Sequence, residues 1–119
     1  MLMLAPTVRI FAAVGPVDMR RGFDGLSALV RETIGADPQS GDLYVFRNRQ
    51  GDKLKILFAS RQGLCLFAKR LESGVFKFPE GDGAALEIDS GQLAVLLEGL
   101  EFVARRPAAA RVRPGVALR

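Results

Sequence analysis

Histidine and tryptophan are both absent from these 119 residues, and there is a single cysteine, Cys65. Without histidine there is no imidazole to activate a serine or cysteine nucleophile, no imidazole general base and no imidazole metal ligand. One cysteine excludes an internal disulfide framework and any multi-cysteine zinc site. Cys65 lies between Leu64 and Leu66, with no base to activate it, and reads as structural. Long apolar runs are lacking as well. The opening MLMLAPTVRIFAAVG carries no basic segment ahead of it and is interrupted by Pro6 and Arg9. No stretch approaches the roughly 20 apolar residues that span a bilayer. No glycine-rich loop of the GxxxxGK[ST] or GxGxxG kind stands between a strand and a helix. These absences point away from an enzyme, a bound cofactor, a metal and a membrane. A lone cysteine is compatible with a reducing cytoplasm, the expected location.

What is present is an ordinary globular mix, 49% hydrophobic and 25% charged, in a length that suits one domain. The net charge of +4 conceals four blocks. Residues 1–46 carry four basic and five acidic side chains, 47–77 eight and two, 78–104 none and six, and 105–119 five and none. A basic middle thus abuts an acidic end, and the overall basicity belongs to the last fifteen residues. Such blocks shape fields and association rather than the fold.

Hydrophobic periodicity supplies the elements. Val8–Val14 reads as a strand ended by Gly15-Pro16. Phe23, Leu26, Leu29, Val30, Thr33 and Ile34 recur at helical spacing, so 22–34 reads as an amphipathic helix with Asp24 in its first turn and Gly35 as its stop. Leu43–Arg47, Lys53–Ala59, Leu64–Arg70 and Val75–Phe78 read as four short strands with short turns, which favours antiparallel pairing. Pro79–Ala85 is a glycine-rich acidic loop. Asp89, with Gln92 three residues on, matches a variant of the capping box ahead of a helix whose apolar stripe is Leu93, Leu96, Leu97 and Leu100. The expected fold is α+β: an antiparallel four- to five-stranded meander sheet with two amphipathic helices packed on one face. One domain would cover 1–104, and 105–119, rich in Arg, Ala and Pro, would be a disordered tail.

The candidate site is basic. Arg20 and Arg21 stand at a helix entrance, where they could grip phosphate beside free backbone N–H groups. The alternative is that Asp18 closes the turn and the arginines pair with Asp18 and Asp24. Arg47, Arg49, Lys53, Lys55, Arg61, Lys69, Arg70 and Lys77 crowd the meander. Alternation puts Lys53 and Lys55 on one side of their strand and Leu54, Ile56 and Phe58 on the other, so a basic platform for a nucleic-acid backbone is one reading. Lysines that merely solvate a sheet and guard its edges are the other. Phe46, Phe58, Phe67, Phe76 and Phe78 suit a core better than a base-stacking surface. The carboxylates of Glu80, Asp82, Glu87, Asp89, Glu98 and Glu101 show no spacing that converges on a metal. Arg105, Arg106, Arg111, Arg113 and Arg119 could add non-specific affinity for DNA by counterion release, or could belong to an unselected extension rich in Ala, Arg, Gly and Pro.

Three segments in order, DMRRGFDGL (Asp18–Leu26), DLYVFRNRQGDKLKIL (Asp42–Leu57) and GLCLFAKRLESGVFKFP (Gly63–Pro79), resemble TnpB, the small accessory protein of insertion sequence 66 elements, which is distinct from the RNA-guided nuclease of the same name. The likeness runs over roughly residues 8–103. The chain departs from that pattern at Ala59-Ser60, where a Trp-Asp pair is usual, and at Phe78, where a tryptophan is. The resemblance implies a non-catalytic role in transposition beside a large transposase and another element-encoded accessory protein. Combined with the basic stretch, it leads to the expectation of a protein that binds DNA, at the element ends, through a basic sheet face. The alternative is an adaptor that docks on the transposase without touching DNA.

Overall fold

A computed structural model describes residues 7–98. They form a five-stranded sheet with a helix on each side. The strands are β1 (Ile10–Ala13), β2 (Leu43–Arg47), β3 (Lys53–Ser60), β4 (Gly63–Arg70) and β5 (Ala85–Ile88), in the order β4-β3-β2-β1-β5. Helix α1 (Phe23–Leu29) separates β1 from β2, and α2 (Ser90–Leu97) follows β5.

The sheet is mixed, which corrects the expected meander. β1 and β2 pair parallel, while β2–β3, β3–β4 and β1–β5 are antiparallel. A parallel neighbour requires a crossover, and the helix between β1 and β2 is that crossover. The strand expected at Val75–Phe78 is not one. Its burial does alternate, with Val75 and Lys77 exposed and Phe76 buried, but it joins no strand ladder and is tied to the β2–β3 turn by Phe76 N–H donating to Gly51 O at 2.7 Å. The place beside β1 goes to β5, whose Ala85 falls at the end of the loop expected over Pro79–Ala85 and whose other three residues the sequence assigns to no element.

The two helices lie on opposite faces, not on one. Because side chains alternate along a strand, Leu43 and Val45 of β2 point into a cluster with Leu54, Ile56, Leu93 and Leu96, on the α2 side. Tyr44 and Phe46 point the other way, into a cluster with Leu57, Leu26 and Val30, on the α1 side. β2 is therefore apolar at successive positions, as a central strand covered on both faces must be. Each fully buried Leu, Ile, Val or Phe contributes about 1.5–3 kcal/mol, so both layers matter to stability.

The helix expected over 22–34 is present, but its second half, Val30–Ile34, winds as a π-helix. Gly35, at φ 79°, ends it and donates its N–H to Val30 O. The capping box of α2 is complete: Asp89 accepts from Gln92 N–H at 2.8 Å, and Gln92 Oε1 accepts from Asp89 N–H at 3.0 Å. Leu100 of the expected stripe and the tail at 105–119 lie outside the described residues. Among the described residues, no helix is long and apolar enough to cross a membrane.

Candidate nucleic-acid interface

The segment from Val14 to Gly22, between β1 and α1, is pinned to the sheet by its backbone. Val17 N–H donates to Arg47 O at 2.8 Å, and Arg47 Nη2 donates to Val14 O at 2.8 Å. Asp18 closes a tight turn, accepting from Arg20 N–H at 2.8 Å and from the Arg20 guanidinium at 2.7 Å, while its carbonyl accepts from Arg21 N–H. These bonds from Arg20 hold the Asp18 carboxyl well below the usual carboxylate range. Lys55, on β3, then reaches under the segment: Nζ donates to Met19 O at 2.8 Å and Arg21 O at 2.9 Å.

Across from this segment stands the turn between β2 and β3. Buried Asn48 organises it, accepting at Oδ1 from Gly51 and Lys53 N–H and donating from Nδ2 to Asp52 at 2.7 Å. Gly51 adopts φ 83°, a left-handed conformation that a side chain would strain, and a Cβ there would stand 3.2 Å from Val75. Between the two walls, over the ends of β3 and β4, runs a groove of about 810 Å³. Arg20, Arg49, Lys53, Lys55, Lys69 and Arg70 line it, six of the ten cations singled out in the sequence.

Those six differ in what their charges do. Lys55 holds the wall, and Lys69 reaches to the opposite side of the sheet, where Nζ donates to Leu97 O at 2.6 Å and closes the C-terminus of α2. Arg20 is paired with Asp18. Arg70 makes a long, solvent-exposed contact of 3.5 Å with Glu72. Arg49 and Lys53 are exposed, and their side chains have no hydrogen-bonding or ion-pair partner among the described residues. Lys53 is also directly opposite Arg70 in the β3–β4 register. Like charges set opposite one another on neighbouring strands are unfavourable unless an anion lies between them.

The other four lie elsewhere. Arg21 sits beside the groove, its guanidinium 3.4 Å from Gly25 O, not on Asp24. Arg47 and Lys77 line a second depression of about 480 Å³ on the other side of the turn. There the Arg47 guanidinium covers Phe78 at 5.5 Å, the position where the sequence resemblance leads one to expect tryptophan. Arg61 occupies the far tip of the β3–β4 hairpin with φ 51°, about 25 Å from Lys53 along an eight-residue strand. The cations therefore do not make one continuous sheet face. Lys53, Lys55 and Arg70 are on the α1 side, and Arg47 and Lys69 on the other. The sequence missed the contribution of Asn48 and of the Val14–Gly22 wall, because both act through backbone geometry.

The five meander phenylalanines belong to the core. Phe46 and Phe76 are buried, and Phe58, Phe67 and Phe78 pack against a cluster. Cys65 is a half-buried free thiol in β4. Among the described residues, no three acidic or thiol side chains are grouped to hold a metal ion.

Residues 8–107 match the family model described as IS66 Orf2 like protein, which spans all the strands, both helices and the groove. The chain belongs to the IS66 Orf2-like family. That family is an accessory one in insertion-sequence transposition. Two relatives from Sinorhizobium fredii (strain NBRC 101917 / NGR234) extend along nearly the whole chain. "Uncharacterized protein y4hO" is 42% identical over 102 residues, 86% of this chain and 89% of the relative. "Uncharacterized protein y4jC" is 40% identical over 109 residues, 88% and 93%. No solved structure matches this IS66 Orf2-like chain.

Proposed function

We propose that this IS66 Orf2-like protein is a non-catalytic accessory of transposition that holds DNA phosphates in the groove between the Val14–Gly22 segment and the β2–β3 turn, beside a large transposase that carries out the strand chemistry. The observation that supports this most directly is the placement of Lys53 opposite Arg70, with Arg49 at the lip. Three exposed cations line the groove, Asp18 in the same lining is engaged by Arg20, the one carboxylate contact of Arg70 among the described residues is the long, solvent-exposed one to Glu72, and a bound phosphate would relieve the opposition of Lys53 and Arg70. Lys55 and Lys69 belong to the scaffold in this reading, not to the contact surface.

The test is fluorescence anisotropy with labelled element-end DNA and scrambled DNA, comparing the full-length chain with its Arg49→Gln/Lys53→Gln variant at several salt concentrations. Two lost phosphate contacts should lower the magnitude of the salt slope by about two. Affinity should fall by about tenfold or more at moderate salt, with the melting temperature equal to or slightly above the parent's, since the variant removes a like-charge opposition. Unchanged affinity and slope would sink the groove as the contact surface. The adaptor reading would then lead, tested by capture of the element's transposase on the immobilised chain.

A further inference from the structure

We infer that the groove accepts the backbone of double-stranded DNA and discriminates against single strands; the inference rests on the groove being the DNA-binding site. A protein that binds single-stranded nucleic acid without reading sequence combines a basic channel with aromatic side chains on which unpaired bases stack, and each stacked base contributes strongly. The groove has the first and lacks the second. Its floor and walls present Val17, Met19, Leu54 and Ala68 between the cations, and among the described residues no aromatic side chain is part of its lining; the exposed ring of Phe23, at the start of α1, lies just past the wall and outside that lining. The phenylalanines that share its strands are committed elsewhere: Phe46 is covered by the α1 layer, and Phe58 and Phe67 pack into the α2 layer. The second depression offers Phe78, but the Arg47 guanidinium already covers that ring.

What remains at the lip is a set of point charges. Arg49, Lys53 and Arg70 are exposed on the β2–β3 turn and on two paired strands, with only Arg70 in a long contact, to Glu72. Such a set answers to charge density and to a regular phosphate spacing. A duplex carries about one charge per 1.7 Å of axis over both strands, and the counterion release per contact is larger than for a single strand. With no aromatic ring in the groove's described lining to stack on, a single strand offers the groove a lower charge density and a smaller counterion release than a duplex does.

The experiment titrates the full-length chain into a labelled duplex and into each of its separated strands, at matched phosphate concentration and moderate salt. The Arg49→Gln/Lys53→Gln variant is titrated in parallel. The expected result is duplex binding more than threefold tighter than either strand, with the preference abolished in the variant. Single strands bound within threefold of the duplex, or more tightly, overturn the inference while leaving the groove as a DNA site. A duplex preference that survives in the variant assigns it to another part of the chain and overturns the inference equally. Absence of binding to any of the three probes refutes the DNA reading itself, and this inference with it.

Discussion

Helix α2 carries its own start signal, and α1 does not. At α2 the Asp89 side chain and the Gln92 side chain satisfy each other's backbone within four residues. At α1 the position before the helix is Gly22, no side chain caps it, and the helix relaxes into a π-helix after seven residues. The stretch leading into α1 is held instead from outside, by Lys55 of β3 on the carbonyls of Met19 and Arg21. A helix start that carries its own cap depends on nothing else in the molecule. One that is held by the sheet makes the wall of the groove depend on a strand lysine. The same amino acid two positions earlier, Lys53, holds nothing and is open to a ligand.

The comparison breaks most visibly at those two lysines. Lys55→Met removes a charged donor from two carbonyls and should cost about 1–2 kcal/mol in urea unfolding. Lys53→Met should stay within about 0.5 kcal/mol of the parent, as surface substitutions do. Equal costs for the two would mean that Lys55 is not what anchors the Val14–Gly22 segment. The caps come next. Asp89→Ala should lose about 1 kcal/mol, whereas Gly22→Ser, at a position with open space around its Cβ, should gain a few tenths. A loss at Gly22→Ser would show that the entrance of α1 needs glycine for its conformation.

The smallest effect is acidic. Arg20 holds the Asp18 carboxyl below its ordinary range, and Arg9, hydrogen-bonded to Glu87 at 2.8 Å, does the same for the Glu87 carboxyl. A lowered carboxylate adds stability that is present in full above the ordinary carboxylate range and is lost as the pH falls towards the depressed value. The melting temperature of Asp18→Asn/Glu87→Gln should therefore lie slightly below the parent's near neutrality. The gap should narrow as the pH is taken from about 7 to about 3. Both pairs are exposed, so the effect is small and salt-sensitive. A gap that widens on acidification would reverse the assignment.

Much of the local structure was legible. Leu43–Arg47 was read to the residue, because a short run of β-branched and aromatic residues bounded by Gly41 and Asn48 has few alternatives. The Asp89–Gln92 signal and the stop at Gly35 are local chemistry and were read as such. Val75–Phe78 misled for a physical reason: it has the alternation of a strand, and in the fold it does bury every second residue, yet strand identity is decided by a ladder partner. Ala85–Ile88 went unseen because four residues next to a glycine-rich loop carry too little period to stand out. Of the candidate site, the excess of cations was visible, but not their division into scaffold and surface.

The sequence by itself determined the inventory: the absence of histidine, the segments that become strands and helices, and a basic stretch from 47 to 77. These follow from side-chain chemistry and from spacing over a few residues. Only the tertiary structure decided that β1 and β2 run parallel, that the helices take opposite faces, and that Lys55 and Lys69 spend their charges on backbone carbonyls while Arg49 and Lys53 keep theirs for solvent. Those outcomes depend on which distant segment arrives beside each strand. A carbonyl that a lysine can reach exists at that point in space only after the chain has closed around it.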